Sequence, residues 1–144
     1  MRPGECFQIR WNRLTMKGKN RYTITIPADI DKTGYEHNVP ISMRLLELFR
    51  AIGIKSDDSL IFPSPKNPNV PRKSIKEAFD KALHQCGLYG KGVTPYALRR
   101  TRITIWDAID SNAARHAAGH VPKDVHVKHY VKMSPERLFR LVGL

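Results

Sequence analysis

Alternating apolar and polar positions predict two short β-strands in the first third of the chain. Residues Tyr22–Ile26 alternate cleanly, so every second side chain shares one face, as in a half-buried strand. A second strand is expected over about 35–41, with Pro40 at its end, where a missing backbone donor does little harm. The polar stretch 27–34 between them predicts a turn, so the two strands should form a hairpin with Lys32 in or beside its loop.

Helical periodicity accounts for most of the remaining sequence. The predicted helices are Pro3–Ile9, a helix capped by Ser42 and reaching Ile52, Lys73–Cys86, a helix capped by Thr94 and reaching Ile109, about Asn112–Ala118, Pro122–Tyr130, and a last helix capped by Ser134. The stretch Pro63–Pro71 holds four prolines and two asparagines and predicts a loop. The chain 1–144 is therefore expected to be one α+β domain, mainly α-helical, with a small antiparallel β-sheet at one edge.

Two of these helices carry apolar stripes that predict which side faces the core. The helix capped by Ser42 has a stripe formed by Leu45, Leu48, Phe49 and Ile52. The helix over 73–86 has the most regular stripe of the chain, formed by Ile75, Ala78, Phe79, Ala82, Leu83 and Cys86. We expect both stripes to pack on the core.

The balance of charge narrows the class of partner. The chain has 25 Lys and Arg against 13 Asp and Glu, a net charge of +12. Such an excess favours a polyanion, because each neutralised phosphate releases condensed counterions. A basic membrane-surface protein would need a long amphipathic helix with one strongly cationic face, and the sequence shows none. Nucleic acid is therefore the expected partner.

Cysteine usage and hydropathy suggest a compartment. Cys6 and Cys86 are isolated, without the spacing of a metal site or of a disulfide framework, which suits a reducing environment. No apolar run approaches the roughly 18 residues that a membrane span requires. We expect a cytoplasmic protein with no membrane segment.

The segment TPYALRRT at 94–101 is the first candidate for chemistry. Tyr96 and Arg99 are three residues apart in the predicted helix, so both project from one side. The free N–H groups and the dipole of a helix N-terminus favour an anion there, and a guanidinium offers a fork of donors that matches two phosphate oxygens. The alternative interpretation is that Arg99 and Arg100 are solvated surface charges.

Three further positions suit a phosphodiester site. Arg2 offers a second permanent cation. His120 stands in a short connection after a predicted helix, where a histidine is either a polar loop residue or part of a site. Tyr130 has Lys128 and Lys132 close by, and such cations stabilise a phenolate nucleophile, which a free tyrosine forms only near pH ~10.

The histidines near the end of the chain allow a metal site as another interpretation. His116, His120, His126 and His129 fall within fourteen residues, and the first two have the i, i+4 spacing of helical metal ligands. No glutamate lies between them as in a zinc-protease helix, and Gly119 should end the helix before His120. A zinc-dependent hydrolase is therefore the weaker alternative, and we expect neither a metal nor another cofactor.

In their order along the chain these positions resemble the tyrosine recombinases, or phage-type integrases, over essentially the whole sequence. MRPGE at 1–5, followed by Arg10 and Trp11, is similar to the first arginine box of that family. KTG at 32–34 leading to VPI at 39–41 resembles its hairpin lysine and the strand that follows. The segment 94–101 resembles the second arginine box, and AGH at 118–120 with Tyr130 resembles the end of the site.

The resemblance implies site-specific DNA recombination or integration without a metal or nucleotide cofactor. Tyr130 would attack a phosphodiester of double-stranded DNA and form a 3′-phosphotyrosyl link, while Arg2 and Arg99 stabilise the charge on the phosphate. Lys32 would protonate the leaving 5′-oxygen, and His120 would bond the phosphate or position the tyrosine. Strand exchange in this family uses four protomers, so a homo-tetramer on DNA is implied. The residues expected to contact neighbouring DNA phosphates are Arg100, Lys128 and Lys132.

The sequence departs from the pattern of the family in two places. The second box usually carries histidine, sometimes lysine, where this chain has Tyr96, and a phenol is a poor base at neutral pH although it donates a hydrogen bond. The N-terminal core-binding domain of the family is absent, so we expect an N-terminally truncated catalytic domain. A catalytically decayed DNA-binding remnant of a mobile-element integrase is the alternative.

The helix after Ser134 resembles the segment that the family docks on a neighbouring protomer. This helix could pack on its own protomer or on the neighbouring one.

Overall fold

The computed structural model of the protein describes residues 1–121 and 133–144. The elements in these ranges are α1 (Pro3–Gln8), β1 (Leu14–Gly18), β2 (Arg21–Ile26), β3 (His37–Pro40), α2 (Met43–Ile52), α3 (Lys76–Gln85), α4 (Pro95–Ile109), α5 (Ser111–Ala117) and α6 (Pro135–Arg140), with a 3-10 turn at Trp11–Arg13 before β1. The predicted α+β class is confirmed. None of the described helices combines the length and the apolar character that crossing a membrane requires.

The three strands form one antiparallel sheet in the order β1-β2-β3. The predicted hairpin is β2–β3, in which Ile24 pairs with Val39 and Ile26 pairs with His37. β1 was not predicted, although Leu14, Thr15, Met16 and Lys17 alternate between apolar and polar side chains. The run is short, and its last three residues are exposed. The centre of β2 is also covered on both faces rather than half-buried, since Thr23 and Ile24 point to opposite sides and both are buried.

The predicted helix caps are confirmed by side-chain hydrogen bonds. The hydroxyl groups of Ser42, Thr94 and Ser134 accept the backbone N–H of Leu45, Ala97 and Arg137, at the starts of α2, α4 and α6. A fourth cap was not predicted: the Asp110 carboxylate accepts the Ala113 N–H at the start of α5 and binds the Arg137 guanidinium through both oxygens. Asp110 thereby ties α5 to α6.

The core lies between the sheet, α2, α5 and α6. Trp11 packs edge-on against Phe49 of α2, with the ring centroids 5.4 Å apart. The small side chains of α5 let its backbone approach the sheet, and Ala113, Ala114 and Ala117 are fully buried. This close packing places the end of α5 against the loop between β2 and β3.

The two predicted apolar stripes are wrong in part. In α3 none of the residues is fully buried. Ile75 and Phe79 are half-buried beside α1 and the start of α4, and Leu83 is half-buried as well. The shorter side chains of the stripe, Ala78, Ala82 and Cys86, are exposed. In α2 the buried residues are Leu46 and Phe49, while Leu48 and Ile52 are more than half exposed. Periodicity identifies a helix and its apolar side, but the neighbouring elements decide how far that side is covered.

His116 joins α5 to the β2–β3 hairpin. Its Nε2 accepts the backbone N–H of Asn38 at 3.2 Å, so the proton of the neutral ring lies on Nδ1, 3.2 Å from the Tyr35 hydroxyl. Burial, followed by the charge of His37, lowers the pKa of His116 to about 4. Protonation of this ring would break the bond from Asn38, because Nε2 could no longer accept.

Gly119 brings the end of α5 into direct contact with the hairpin loop. Its φ of +69° is in the left-handed region. A β-carbon at this position would lie 2.6 Å from Cε1 of His37 and 3.1 Å from Oδ2 of Asp31. Only a residue without a side chain fits both the backbone conformation and the space, so Gly119 sets how closely α5 approaches the loop.

We predict that Gly119→Ala lowers the free energy of unfolding by about 2–4 kcal/mol, through strain at a positive φ together with overpacking against His37. Gly87→Ala is the matched control, since Gly87 has a φ of +64° and open space around its would-be β-carbon. It should cost only about 1 kcal/mol. Urea unfolding measures both values, and equal losses would show that the contact with His37 does not matter.

The lowered pKa of His116 makes stability depend on pH. In the unfolded chain this histidine titrates near its ordinary pKa of 6.5, whereas in the folded state it does so at about 4. The unfolded state therefore binds the extra proton first, and stability falls as the pH drops from about 6.5 to about 4. We predict a loss on the order of 3 kcal/mol across this window.

His116→Gln should remove most of this pH dependence, because glutamine can keep both hydrogen bonds but does not titrate. His37, whose pKa burial also lowers, should retain part of the slope. His84→Gln is the control, since His84 is exposed on α3. Unfolding curves at pH 7, 5.5 and 4.5 test the prediction, and an unchanged slope in His116→Gln would contradict it.

Candidate active site

Arg2 is held at the start of α1 by two buried carboxylates. Its backbone N–H donates to Glu5 Oε2 at 2.6 Å, and its Nη1 donates to Glu5 Oε1 at 2.6 Å and to Asp31 Oδ2 at 2.8 Å. Both acidic side chains are at most 2% exposed, whereas the side chain of Arg2 is 28% exposed. Burial acts against the charge of Arg2, but the bonds and charges of Glu5 and Asp31 outweigh it and raise its pKa. The guanidinium of Arg2 is therefore permanently charged, and its Nη1 is held in place by the two carboxylates.

Asp31 also organises the loop that follows β2. Its Oδ1 accepts the Thr33 N–H at 2.7 Å, the Thr33 hydroxyl, and more distantly the Tyr35 N–H at 3.5 Å. This pattern is an Asx turn. Burial opposes the charge of this carboxylate, but the bonds from Thr33 and Tyr35 and the charge of Arg2 outweigh it and lower the pKa of Asp31 to about 2. Asp31 is ionised at neutral pH, and Lys32 follows it on the exposed part of the loop.

Arg99 extends from the first half of α4 to the end of α5. Its Nη2 donates to the Ala118 carbonyl at 2.6 Å. Its Nη1 is buried and has no hydrogen-bond partner among the described residues. Burial, followed by the charge of Arg2, lowers the pKa of Arg99, so the two guanidinium groups lie close enough to repel each other. An anion beside Arg99 would satisfy the free nitrogen and relieve the repulsion.

His120 lies beside both arginines. It follows Gly119, and its backbone N–H donates to the Arg115 carbonyl at 2.9 Å. Partial burial, followed by the charges of Arg99 and Arg2, lowers the pKa of its imidazole. The ring is therefore neutral at pH 7 and has one donor and one acceptor nitrogen. The structure thus brings Arg2, Arg99 and His120, which are far apart in sequence, into one cluster.

Three other predicted residues lie at the edge of this cluster or on the surface near it. Tyr96 is 66% exposed in the first turn of α4, and it is near enough to Arg99 to affect the pKa of that side chain. Lys32 and Arg100 are exposed, and neither side chain forms a hydrogen bond or an ion pair within residues 1–121 and 133–144. In the part of the chain that the structure describes, Lys32 is therefore linked to the cluster through its neighbour Asp31.

The remaining predicted positions, Lys128, Tyr130 and Lys132, lie outside the described residues. The same holds for His126, His129 and the helix predicted over Pro122–Tyr130. The proposed nucleophile therefore stays a prediction, and the described part of the site is its cationic half.

One group of side chains in the described ranges has the chemistry of a metal site. Glu5, Asp31 and His37 are buried, and one ligand atom of each lies within 4.8 Å of the others. However, Nη1 of Arg2 contacts both carboxylates, so a guanidinium already supplies the positive charge that a metal would bring. The predicted zinc pair is no better suited, because both ring nitrogens of His116 are hydrogen-bonded to the hairpin.

Sequence analysis overlooked the groups that hold the cluster in place, although two local signals point to them. Glu5 is the third residue after Arg2, the spacing from which a glutamate reaches back to the N–H of a helix cap. Asp31 stands two residues before Thr33, the spacing of an Asx turn. Neither signal indicates that both carboxylates meet on Arg2, because Asp31 is 29 residues away from it in sequence.

Comparison with known proteins identifies the family. The model of the phage integrase family matches residues 1–137 of the 144. This range covers every element that carries Arg2, Lys32, Arg99 and His120. No curated protein and no solved structure matches the chain. The family match over nearly the whole sequence agrees with the α+β architecture and with the cluster of cations, and the chain therefore belongs to the phage integrase family, the tyrosine recombinases.

Proposed function

We propose that residues 1–144 are the catalytic domain of a site-specific DNA recombinase that cleaves and rejoins strands through a 3′-phosphotyrosyl intermediate. Family membership supports DNA recombination as the general activity. The observation that carries the chemistry is the cluster of Arg2, Arg99 and His120, in which Nη1 of Arg99 is buried and without a partner among the described residues. A phosphate oxygen is the acceptor that best suits this nitrogen.

Charge compensation within the cluster is unequal, and this favours an anion on one side. Arg2 is paired with two carboxylates, whereas the bond that Arg99 makes in the described structure is to the neutral Ala118 carbonyl. Both ion pairs of Arg2 use Nη1, so the remainder of its guanidinium is uncommitted among the described residues. A phosphodiester placed against Arg99 and the open side of Arg2 would receive donors from two permanent cations. Donors of this kind stabilise the charge that develops on the phosphoryl oxygens in the transition state.

The proposed reaction has two displacements at phosphorus. The Tyr130 hydroxyl attacks the scissile phosphate, a bond forms between its oxygen and phosphorus, and the bond to the 5′-oxygen breaks. The tyrosine proton passes to the neutral imidazole of His120 or to water, and Lys32 donates a proton to the leaving 5′-oxygen. A second 5′-hydroxyl then attacks the phosphotyrosine, which restores the phosphodiester and frees Tyr130.

Double-stranded DNA is the proposed substrate, and a tetramer on two duplexes is the proposed assembly. The net charge of +12 supports binding to DNA. The exposed Arg100, one residue after Arg99, is positioned for a neighbouring phosphate, and Lys128 and Lys132 are proposed to serve the same purpose.

A DNA-binding remnant is the second candidate function. It is favoured by Tyr96, because this phenol occupies the position where the family usually has a histidine.

The test is a search for the covalent intermediate. The protein is incubated in EDTA with a pool of nicked duplexes that carry randomised sequence, and adducts that survive denaturant are isolated and sequenced. We expect an adduct that Tyr130→Phe abolishes and that Arg99→Lys reduces about 10²-fold or more, because lysine cannot replace the planar fork of donors.

Arg102→Lys is the matched control, because Arg102 lies on the same helix with its guanidinium over the ring of Trp106 and forms no hydrogen bond with the cluster in the described residues. It should leave the yield of adduct nearly unchanged. DNA binding without any adduct would support the remnant and contradict the proposed reaction. Cleavage that appears only when EDTA is replaced by Zn²⁺, and that leaves no adduct, would support the hydrolase alternative.

Tyr96 provides a second test of the same site. Because it is exposed in the first turn of α4, near Arg99, a histidine there should reach the same phosphate. An imidazole can take up and release a proton near neutral pH, whereas a phenol, whose ordinary pKa is ~10, keeps its proton there. We predict that Tyr96→His speeds single-turnover cleavage at pH 7 by about tenfold.

Tyr89→His controls for the substitution itself, since Tyr89 is also more than half exposed and lies beyond α3. Cleavage by this variant should match that of the unmodified protein. A rate for Tyr96→His at or below the unmodified rate would show that Tyr96 is not in the position of the family histidine.

A further inference from the structure

We propose that Asp31 is a positioning residue that holds the Lys32 loop and the Arg2 guanidinium in a fixed relation, so that the proton donor and a phosphate-binding cation act on the same phosphodiester. The inference rests on the proposed function, because it takes Lys32 as the proton donor and Arg2 as a phosphate ligand. Asp31 itself takes no part in the chemical steps, but its contacts join the Lys32 loop to Arg2.

The two carboxylate oxygens of Asp31 serve different segments. Oδ2 accepts from Nη1 of Arg2 at 2.8 Å, and Oδ1 accepts from the backbone N–H of Thr33 at 2.7 Å and from its hydroxyl. The side chain is fully buried, so water does not compete for these contacts. A displacement of Arg2 is therefore transmitted through one rigid group to the residues on either side of Lys32.

The far end of the loop is anchored as well. The Tyr35 hydroxyl meets Nδ1 of His116 at 3.2 Å, and the Tyr35 ring lies parallel to that of His37, with an interplanar angle of 4°. Between the two anchors only Lys32, Thr33 and Gly34 are exposed. Lys32 thus lies in a short exposed loop that Asp31 holds at its first end, and its backbone position depends on the contacts of Asp31.

Glu5 offers a natural comparison, because it binds the same nitrogen of Arg2 without touching the loop. Its carboxylate bonds Nη1 at 2.6 Å and the Arg2 N–H at 2.6 Å. Glu5 lies three residues from Arg2, so its contacts stabilise only the start of α1. Loss of charge at Glu5 should disturb Arg2 alone, whereas loss of charge at Asp31 should disturb Arg2 and release the loop from it.

The nature of the leaving group distinguishes these effects. When the bridging 5′-oxygen of the scissile phosphate is replaced by sulfur, the leaving thiolate needs no proton, so a misplaced proton donor no longer limits the rate. A misplaced phosphate ligand limits the rate with either atom. The ratio of cleavage rates on the sulfur and oxygen substrates therefore measures the Lys32 contribution separately from the Arg2 contribution.

The experiment compares single-turnover cleavage by Asp31→Asn, Glu5→Gln and Lys32→Ala on both forms of the duplex selected by the unmodified protein. We expect Asp31→Asn to be about 10²-fold slower on oxygen but only about tenfold slower on sulfur. Glu5→Gln should lose the same factor on both, and Lys32→Ala should be restored by sulfur almost completely. Equal losses of Asp31→Asn on the two substrates would overturn the proposal.

A second measurement needs no catalysis. Amide hydrogen exchange at Thr33 and Tyr35 is followed in the 144-residue protein and in Arg2→Met. If Asp31 couples the two segments, loss of the guanidinium should speed exchange at both amides by about fivefold or more, while the amides of β2 and β3 stay protected and show that the fold is intact. Arg10→Met, which removes an exposed pair with Asp58, is the control.

Unchanged exchange at Thr33 and Tyr35 in Arg2→Met would overturn the coupling even if the protein cleaves DNA as proposed. Absence of an adduct from the unmodified protein would refute the proposed function, and the exchange data would then decide by themselves whether Asp31 joins the loop to Arg2. The two failures are therefore distinguishable.

Discussion

The buried charge of Asp31 is the constraint on which the arrangement of the site depends. A carboxylate removed from water is costly unless cations and hydrogen-bond donors replace its hydration. For Asp31 these partners come from two separate segments, since Arg2 belongs to the start of α1 and Thr33 to the hairpin loop. Satisfying one charge therefore brings the two segments together. The pKa of about 2 shows that the compensation exceeds the effect of burial.

The other half of the cluster depends on the close contact between α5 and the hairpin. Gly119 lies directly over His37, so the chain can turn at the end of α5 and present the Ala118 carbonyl to Arg99. His120 then follows beside the two arginines. The same contact is reinforced from within α5, where His116 is bonded to the hairpin by both ring nitrogens. Backbone geometry, rather than a direct bond between the functional side chains, sets their positions.

The two arginines differ in a way that suits a site for a phosphodiester. Arg2 has its charge balanced by Glu5 and Asp31, which allows a second guanidinium to lie nearby without excessive repulsion. Arg99 has no carboxylate partner among the described residues and retains a buried free nitrogen. The acidic residues thus keep two cations close together, and the uncompensated one remains available to an anion.

Local signals in the sequence predicted much of this fold. Ser42, Thr94 and Ser134 begin helices because their hydroxyl groups reach N–H groups only three residues away. The alternation around Ile24 predicted the hairpin, and its polar connection predicted the loop with Lys32. Features that depend on distant neighbours were missed: the edge strand β1 and the exposure of α3 are decided by what lies beside them, not by their own periodicity.

The sequence by itself determined most of the elements, the basic character of the chain and the order of the residues that mark its family. The family resemblance placed Arg2, Arg99 and His120 at one phosphate, but the sequence could not show that Glu5 and Asp31 hold Arg2 in that position. Propensity, capping and periodicity act over a few residues, whereas the compensation of a buried charge joins groups wherever the folded chain brings them. Tertiary structure therefore decided the site, because the partners of Asp31 and the space around Gly119 exist only after α1, the hairpin and α5 have packed together.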